Sequence, residues 1–249
     1  MSDAALSVAR IAALLELFER ERRPLTSQEI AQYLDIPRSS LGTLLKALVG
    51  LRWLAADRRR ATYFPGARLA RLTGWLQGEA LIDGRLRDGV LRLCKQTGET
   101  VSLSAVGDLD LEVILVDSQD VGVQLVVQPG RRMPLWTSAV GTAHLATLPD
   151  ATVRSMHARA QRRAGRGGQG DPPALTEVLR RVRATRDAGG ITFASAAVVD
   201  GVAAVAVGLP ADLGPRPMVL SIGGPSKRIV AARAAIEQAL KQALAALAA

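Results

Sequence analysis

Two groups of side chains in this sequence have the types and spacing to engage nucleic-acid phosphates and base edges. Arg38, Ser39, Ser40, Thr43 and Lys46 fall within nine residues of one another, and Arg58, Arg59 and Arg60 form an unbroken run shortly after. Short polar and cationic side chains on the first half of a helix are what a major-groove reader needs. An arginine run at a hairpin tip can clamp phosphates or cross an adjacent minor groove. Taken alone, the same run would better suit a solvated turn; beside a helix-turn-helix with a capping box, the phosphate reading prevails. Thr26 and Ser27, just upstream, join these residues as candidate DNA contacts.

The elements that must position these groups can be read from the hydrophobic pattern. Leu6, Ala9, Ala13, Leu14, Leu17 and Phe18 recur at helical spacing and predict a helix over about 4–21, ended by Pro24. Thr26 and Glu29 form a T-x-x-E capping box, in which hydroxyl and carboxylate satisfy free amides at a helix start. The helix that follows buries Ile30, Ala31 and Leu34, and Asp35-Ile36 makes a joint. Pro37 suits the first turn of a third helix, where its missing N–H costs nothing. That helix runs to about Gly50 with Leu41, Leu44, Leu45 and Leu48 inward, leaving the polar set outside. Trp53–Ala55 and Ala61–Phe64 predict two strands paired around the arginine run. Helix, turn, helix, strand, charged loop, strand is the order of a winged helix-turn-helix.

Beyond this region the pattern changes. ARLARLTGWLQ predicts a linker helix, and 81–97 another helix. Three strand-like runs follow: TVSLSAVG, LEVILVDS and VGVQLVVQ. PLWTSAVGTAHLATL returns to helical spacing, Gln161–Pro173 reads as a Gly- and Arg-rich loop, and 174–188 as a helix. Strands ITFASAAVV, VAAVAVGLP and MVLSIGG precede a closing helix over 225–247. The expected class is α+β: an N-terminal winged helix-turn-helix at 1–66, a linker helix at 67–79, and a GAF/PAS-like effector-binding and oligomerisation domain with an antiparallel sheet at 80–249.

Composition bounds the function. Residues 1–75 carry 12 Lys/Arg against 7 Asp/Glu, whereas 76–249 carry 20 against 16, so positive charge concentrates where phosphate would be met. Cys94 is the only cysteine and His144 and His157 the only histidines, which excludes an internal disulfide and leaves too few ligands for a catalytic zinc. No apolar run approaches the roughly 18 residues needed to span a bilayer, and no signal peptide is visible, so a cytoplasmic protein without a membrane partner is expected. No Ser/His/Asp set or carboxylate pair has catalytic spacing; no enzyme activity, cofactor or metal is expected. Arg154, Arg159, Arg162, Arg163 and Arg166 read as a solvated helix face and loop.

Along nearly its whole length the chain resembles the IclR family of transcriptional regulators. The family pattern L-x-E-I-A-x-x-x-G-L-P-K-S-T-V-x-R-L-L-x-x-L is similar to Ser27–Ala31, Ile36–Leu41, Leu44-Leu45 and Leu48. Its Y-x-L-G-x-x-L resembles Tyr63–Leu69, and its G-x-x-x-P-L-H-A-T-A-x-G resembles Gly130–Gly141. Asp200–Ala206 and Leu220–Gly224 are similar to its P-G-V-x-C-x-A-A-P and L-S-I-S-G patterns. Gly42 and Thr43 stand where the family commonly has larger or cationic side chains, which bears on base preference.

The resemblance implies a ligand pocket in the C-terminal half. Ser138, Ala139, Val140 and Gly141 at a helix start would leave free N–H groups for a ligand carboxylate; they would equally permit close helix–sheet packing. Trp136, in place of the family's His, offers either an apolar wall to a ligand or a core residue. Met133, Ser195, Ala204 and Ser221 complete the expected contacts. Ala204 and Gly223 replace a Cys and a Ser found in members that bind small polar acids, and Ala194-Ser195 stand where an acid is usual. With Ser221 as the surviving polar contact, the expected effector is a larger, flatter or more apolar molecule, such as an aromatic acid. The resemblance further implies a homodimer or homotetramer on double-stranded operator DNA, acting as repressor or activator, with dimer contacts from the first helix and the linker. A ligand-independent oligomeric DNA binder and an enzyme fused to a DNA-binding domain are the alternatives.

Overall fold

The computed structural model describes residues 3–73, 82, 84–119, 125–164, 172–195, 198–214 and 216–248. It divides into two compact units, Met1–Ala80 and Leu81–Ala249.

In the first unit, α1 (Asp3–Glu21), α2 (Ser27–Leu34) and α3 (Arg38–Gly50) close over a small core of Leu14, Leu17, Phe18, Ile30, Leu41, Leu45 and Leu48. Leu6 and Ala9, expected inward, are exposed, because the core begins only at about Ile11, one turn further along α1. The α2–α3 joint turns on Asp35, held at φ 49°, where its N–H donates to Ala31 O. Left-handed backbone is costly for a residue with a Cβ, although Asp tolerates it better than most. Pro37 caps α3 from just outside the first turn. The wing is β2 (Leu54–Asp57) paired antiparallel with β3 (Thr62–Pro65), and β3 also pairs with β1 (Leu25–Thr26). A two-residue strand carries no readable period, so β1 escapes the sequence. Phe64 meets Phe18 edge-on, with centroids 6.3 Å apart, tying the wing to α1. The helix α4 (Ala67–Thr73) follows; the rest of the expected linker lies outside the described residues.

The second unit is built on one six-stranded sheet with every neighbouring pair antiparallel, in the order β6-β5-β4-β9-β8-β7. Its strands are β4 (Thr100–Val106), β5 (Asp110–Asp117), β6 (Arg132–Pro134), β7 (Ile191–Ser195), β8 (Val202–Gly208) and β9 (Met218–Pro225). Alternation gives the sheet two faces. Val101, Leu103, Val205, Val207, Leu220 and Ile222 point to one, packing with α5 (Gly84–Thr97), α9 (Ser226–Ala231) and α10 (Arg233–Ala248). Ala206 and Val219 point to the other, where α6 (Ala139–Ala146), α7 (Asp150–Ala164) and α8 (Leu175–Asp187) lie.

Three expectations change here. The described part of VGVQLVVQ, residues 125–128, forms no strand; the third strand of that half is β6 instead, set up by a turn at Gly130, whose N–H donates to Val113 O at 2.7 Å. Helix α7 occupies the start of the stretch expected to be a Gly/Arg loop. The closing helix is two helices, broken at Ala232. Among the described residues no helix is long and apolar enough to cross a membrane.

Candidate functional site

The polar face of α3 presents Arg38, Ser39, Ser40, Thr43 and Lys46, all at least partly exposed. Its inward face is fixed by Leu41, Leu45 and Leu48, so burial of one side dictates exposure of the other. Thr43 Oγ1 donates to Ser39 O at 3.3 Å, which draws that hydroxyl along the helix. The first turn of α3 holds no acid and Pro37 provides no side-chain cap, so the exposed Arg38 stands at a helix start suited to an anion.

Thr26 is committed elsewhere. Its N–H and hydroxyl both donate to Glu29 Oε2, at 2.7 and 2.8 Å, and its Oγ1 accepts from Glu29 N. Arg23 Nη1 holds the other carboxylate oxygen at 2.8 Å. Donation from the Thr26 backbone, then from its hydroxyl and from Arg23, pulls the Glu29 carboxyl down to about 2. Thr26 therefore anchors α2, and Ser27 beside it is exposed. At the wing tip, Asp57 Oδ1 accepts from Arg59 N at 2.9 Å and Arg60 N at 3.2 Å, a turn that holds the backbone while Arg58, Arg59 and Arg60 extend into solvent.

The second unit contains a cavity of about 240 Å³ between the sheet and the start of α6. Met133, Ser138, Ala139, Val140, Ala204 and Ser221, all expected at the ligand, line it. Ser138 caps α6: its Oγ accepts from Gly141 N at 3.0 Å and donates to Pro134 O. Ala139 and Val140, the first residues of α6, line the cavity beside it. Leu125 reaches over Gly223, where a side chain would meet Leu125 Cδ2 at 2.9 Å, so the bare glycine leaves room for this apolar cover.

Trp136, Gly141 and Ser195 are placed away from the cavity. Trp136 is core: it packs edge-on against His157 with centroids 5.4 Å apart, and its carbonyl accepts from Arg181 Nη2 at 2.8 Å. His157 is itself buried, its Nε2 2.7 Å from Pro173 O. Gly141 is there for packing, since a Cβ would collide with the Leu135 carbonyl. Ser195 ends β7 in solvent, its Oγ 3.3 Å from Ser226 Oγ.

Beside Ser138 and Ser221, the cavity holds hydroxyls that the resemblance did not point to. Thr100, Ser102 and Ser104 alternate along β4 and all line the cavity, with Arg131 at its exposed rim. Ser102 and Ser221 are cross-strand partners with their hydroxyls 2.8 Å apart, and Thr100 Oγ1 donates to Leu125 O at 2.9 Å. The signal was present in TVSLSAVG: strict alternation places Thr and Ser on one face and Val, Leu and Ala on the other.

Of the second basic cluster, Arg159 and Arg163 converge on Asp108, Arg154 and Arg162 are exposed, and Arg166 lies outside the described residues. Burial lowers the pKa of His144 in α6. Among the described residues no group of three His, Cys, Asp or Glu side chains could hold a metal ion.

Comparison with known proteins places this geometry. The model of the IclR helix-turn-helix domain matches residues 7–58, and that of the bacterial transcriptional regulator IclR C-terminal domain matches 83–249. The Pca regulon regulatory protein of Pseudomonas putida is 24% identical over 190 residues, covering 73% of this chain and 62% of that protein. The HTH-type transcriptional regulator XynR of Escherichia coli is 23% identical over 150 residues, covering 60% of each. The chain thus spans about three-fifths of the length of the curated relatives it matches. The fold is shared with the Thermotoga maritima IclR at a TM-score of 0.69 and 16% identity, covering 96% of both chains. An IclR regulator from Alicyclobacillus acidocaldarius matches at 0.66 and 21% identity over 96% of this chain and 98% of that one. With its helix-turn-helix and its entire sheet unit both matched, the chain belongs to the IclR family of transcriptional regulators.

Proposed function

We propose that this protein is an effector-responsive regulator that binds double-stranded operator DNA through the α3 face and the wing. The carrying observation is the pairing, in one chain, of an exposed cationic helix-and-wing surface with a separate, mostly apolar cavity that holds hydroxyls from the sheet and from the start of α6. Arg38, Ser39, Ser40, Thr43 and Lys46 serve as base and phosphate contacts, with Ser27 nearby and Arg58–Arg60 as a phosphate clamp. Thr26 acts by anchoring α2. Met133, Ser138–Val140, Ala204 and Ser221 contact a small organic, carboxylate-bearing effector, for which an aromatic acid is the favoured class. A volume of about 240 Å³ lies below the range of about 300–1,000 Å³ for pockets that take drug-sized ligands and supports a compact molecule rather than the larger one expected from the replaced polar positions.

A second copy of the chain is the expected partner. Leu6 and Val8 on α1 and Leu72 on α4 are exposed apolar side chains, 39%, 66% and 46% accessible, on the two helices expected to make dimer contacts. The domain division at 1–66, 67–79 and 80–249, a cytoplasmic location and the lack of an enzymatic role belong to the same reading.

Two measurements test it. A metabolite screen by thermal shift should find compounds that raise the melting temperature of the wild-type chain but not of an Ala204→Phe variant, whose ring fills the cavity. A screen in which no shift depends on residue 204 would remove the effector site. Binding to DNA should weaken with salt, and an Arg58–Arg60 triple Ala variant should lower the salt slope by about two to three, roughly one for each phosphate no longer neutralised. An unchanged slope would remove the wing as a clamp.

A further inference from the structure

Ser104 is the one cavity-lining side chain with an unmet demand among the described residues. It is fully buried, at 0% exposure, and its Oγ has no hydrogen-bond partner there. Its neighbours on the same face, Thr100 and Ser102, are both hydrogen-bonded. A buried hydroxyl left unpaired costs stability and calls for an explanation. The local backbone sharpens the point. The β4–β5 register shifts between Leu103 and Ser104, so that Leu103 pairs with Leu115 but Ser104 with Val113, leaving Ile114 as the extra residue. Bulges of this kind re-aim side chains beside functional sites. Here the result puts Ser104 and Val113 together in the cavity wall.

The same row of the sheet leads to Arg131. Val113 N donates to Arg131 O at 2.9 Å, so Ser104, Val113 and Arg131 stand side by side across the strands. Two strand spacings, about 9–10 Å, separate the backbones of Ser104 and Arg131. Arg131 is exposed at the cavity rim and has no ion pair among the described residues, whereas the adjacent Arg132 is held by Asp110 at 3.4 Å. Between this cation and the Ser104 hydroxyl the wall is apolar, with Val113, Met133 and Val127.

We infer that the cavity takes a carboxylate with a compact apolar body and one oxygen function remote from the carboxylate, the acid meeting Arg131 and the remote oxygen meeting Ser104. This rests on the effector-site reading above and adds the remote oxygen function and the residue that meets each end of the ligand. Arg131 supplies a planar, charge-assisted fork for the carboxylate. Ser104 supplies donor and acceptor capacity that a ligand satisfies, and its small size leaves room for a ring.

The test uses the full chain with benzoate, 4-hydroxybenzoate and 4-hydroxybenzamide, read by calorimetric titration and thermal shift. Wild type should bind 4-hydroxybenzoate about fivefold to tenfold more tightly than benzoate, the worth of one buried hydrogen bond. Ser104→Ala should erase that preference while raising the ligand-free melting temperature by about 2–4 °C, because an unpaired buried hydroxyl has been removed. A serine that does not meet the ligand would leave the preference intact, whatever its effect on the melting temperature. Arg131→Gln should weaken the acid about tenfold and leave the amide unaffected, and its exposure makes it safe for folding. The inference is overturned if Ser104→Ala lowers the melting temperature or keeps the preference, if the amide binds wild type as well as the acid, or if none of the three binds. In each case the effector-site reading still stands or falls on the wider screen with Ala204→Phe.

Discussion

The α3–wing surface and the sheet cavity solve opposite problems with opposite materials. The first is exposed, cationic and held in place by leucines on its hidden side, with its functional groups in two consecutive stretches of sequence. The second is a partly open cavity whose wall is mostly apolar, with hydroxyls from β4, β9 and the start of α6 and Arg131 at its rim, brought together from far apart along the chain. A phosphate backbone presents many similar charges, so its reader can spread several modest contacts over a surface. A small ligand offers few groups, so its site depends on each buried polar atom being met. Tolerance to substitution should differ accordingly: losses should be graded on the first surface and steep at single atoms in the second.

The largest effect should come from removing what positions the reader. Leu45→Ala empties a site only 2% exposed in a small core and should cost the first unit about 2–5 kcal/mol, measured by denaturant unfolding, with DNA binding lost and ligand binding in the second unit kept. Loss of both together would break the separation of roles. Next is the cavity's own support. Gly141→Ala forces a Cβ against the Leu135 backbone, which cannot yield as a flexible side chain would, and should cost about 1–3 kcal/mol along with a loss of ligand affinity. A neutral result in both readouts would mean α6 is not held where the cavity needs it.

Smaller effects sharpen the account of α2. Thr26→Ala should cost about 1 kcal/mol by opening the capping box. Glu29 adds a pH dependence with a definite sign. Its folded pKa, about 2, lies below the ordinary 4.5, so its stabilisation is present above pH 4.5 and lost as pH falls toward 2. Glu29→Gln should flatten stability over that window, as acid titration of unfolding would show. Smallest is Asp35→Gly, which relieves left-handed backbone at φ 49° and should stabilise by about 0.5–1 kcal/mol, read from the denaturant midpoint. A loss of stability there would show that the Asp35 side chain contributes something the backbone argument omits.

The two regions were also unequally legible. Helices α2 and α3 announce themselves because capping, leucine spacing and the polar face agree within one short stretch. The wing followed from two apolar runs around a charged turn. In the second unit most strands were readable but their partners were not. The sequence of β4 shows its hydroxyl face, yet nothing local says that this face meets α6, or that β9 brings Ser221 to Ser102 across more than a hundred residues. Ser138–Val140 could be placed from a motif. Trp136 and Gly141 sit in the same motif and serve the core, a distinction made only by which side of the chain faces Leu135 and His157. The step at Ser104 depends on a bulge opposite it, which propensity does not predict.

The central claim is that occupancy of the cavity changes what the α3–wing surface does. Coupling of this kind is a free energy shared by two sites, and it must appear in either direction. The most direct measurement is the affinity of the full chain for a DNA site obtained by in vitro selection, with and without a saturating compound that raises the melting temperature, in wild type and in Ala204→Phe. The affinity should change about fivefold or more in wild type and not at all in the variant. Equal affinity for DNA with and without the bound compound in wild type would contradict it.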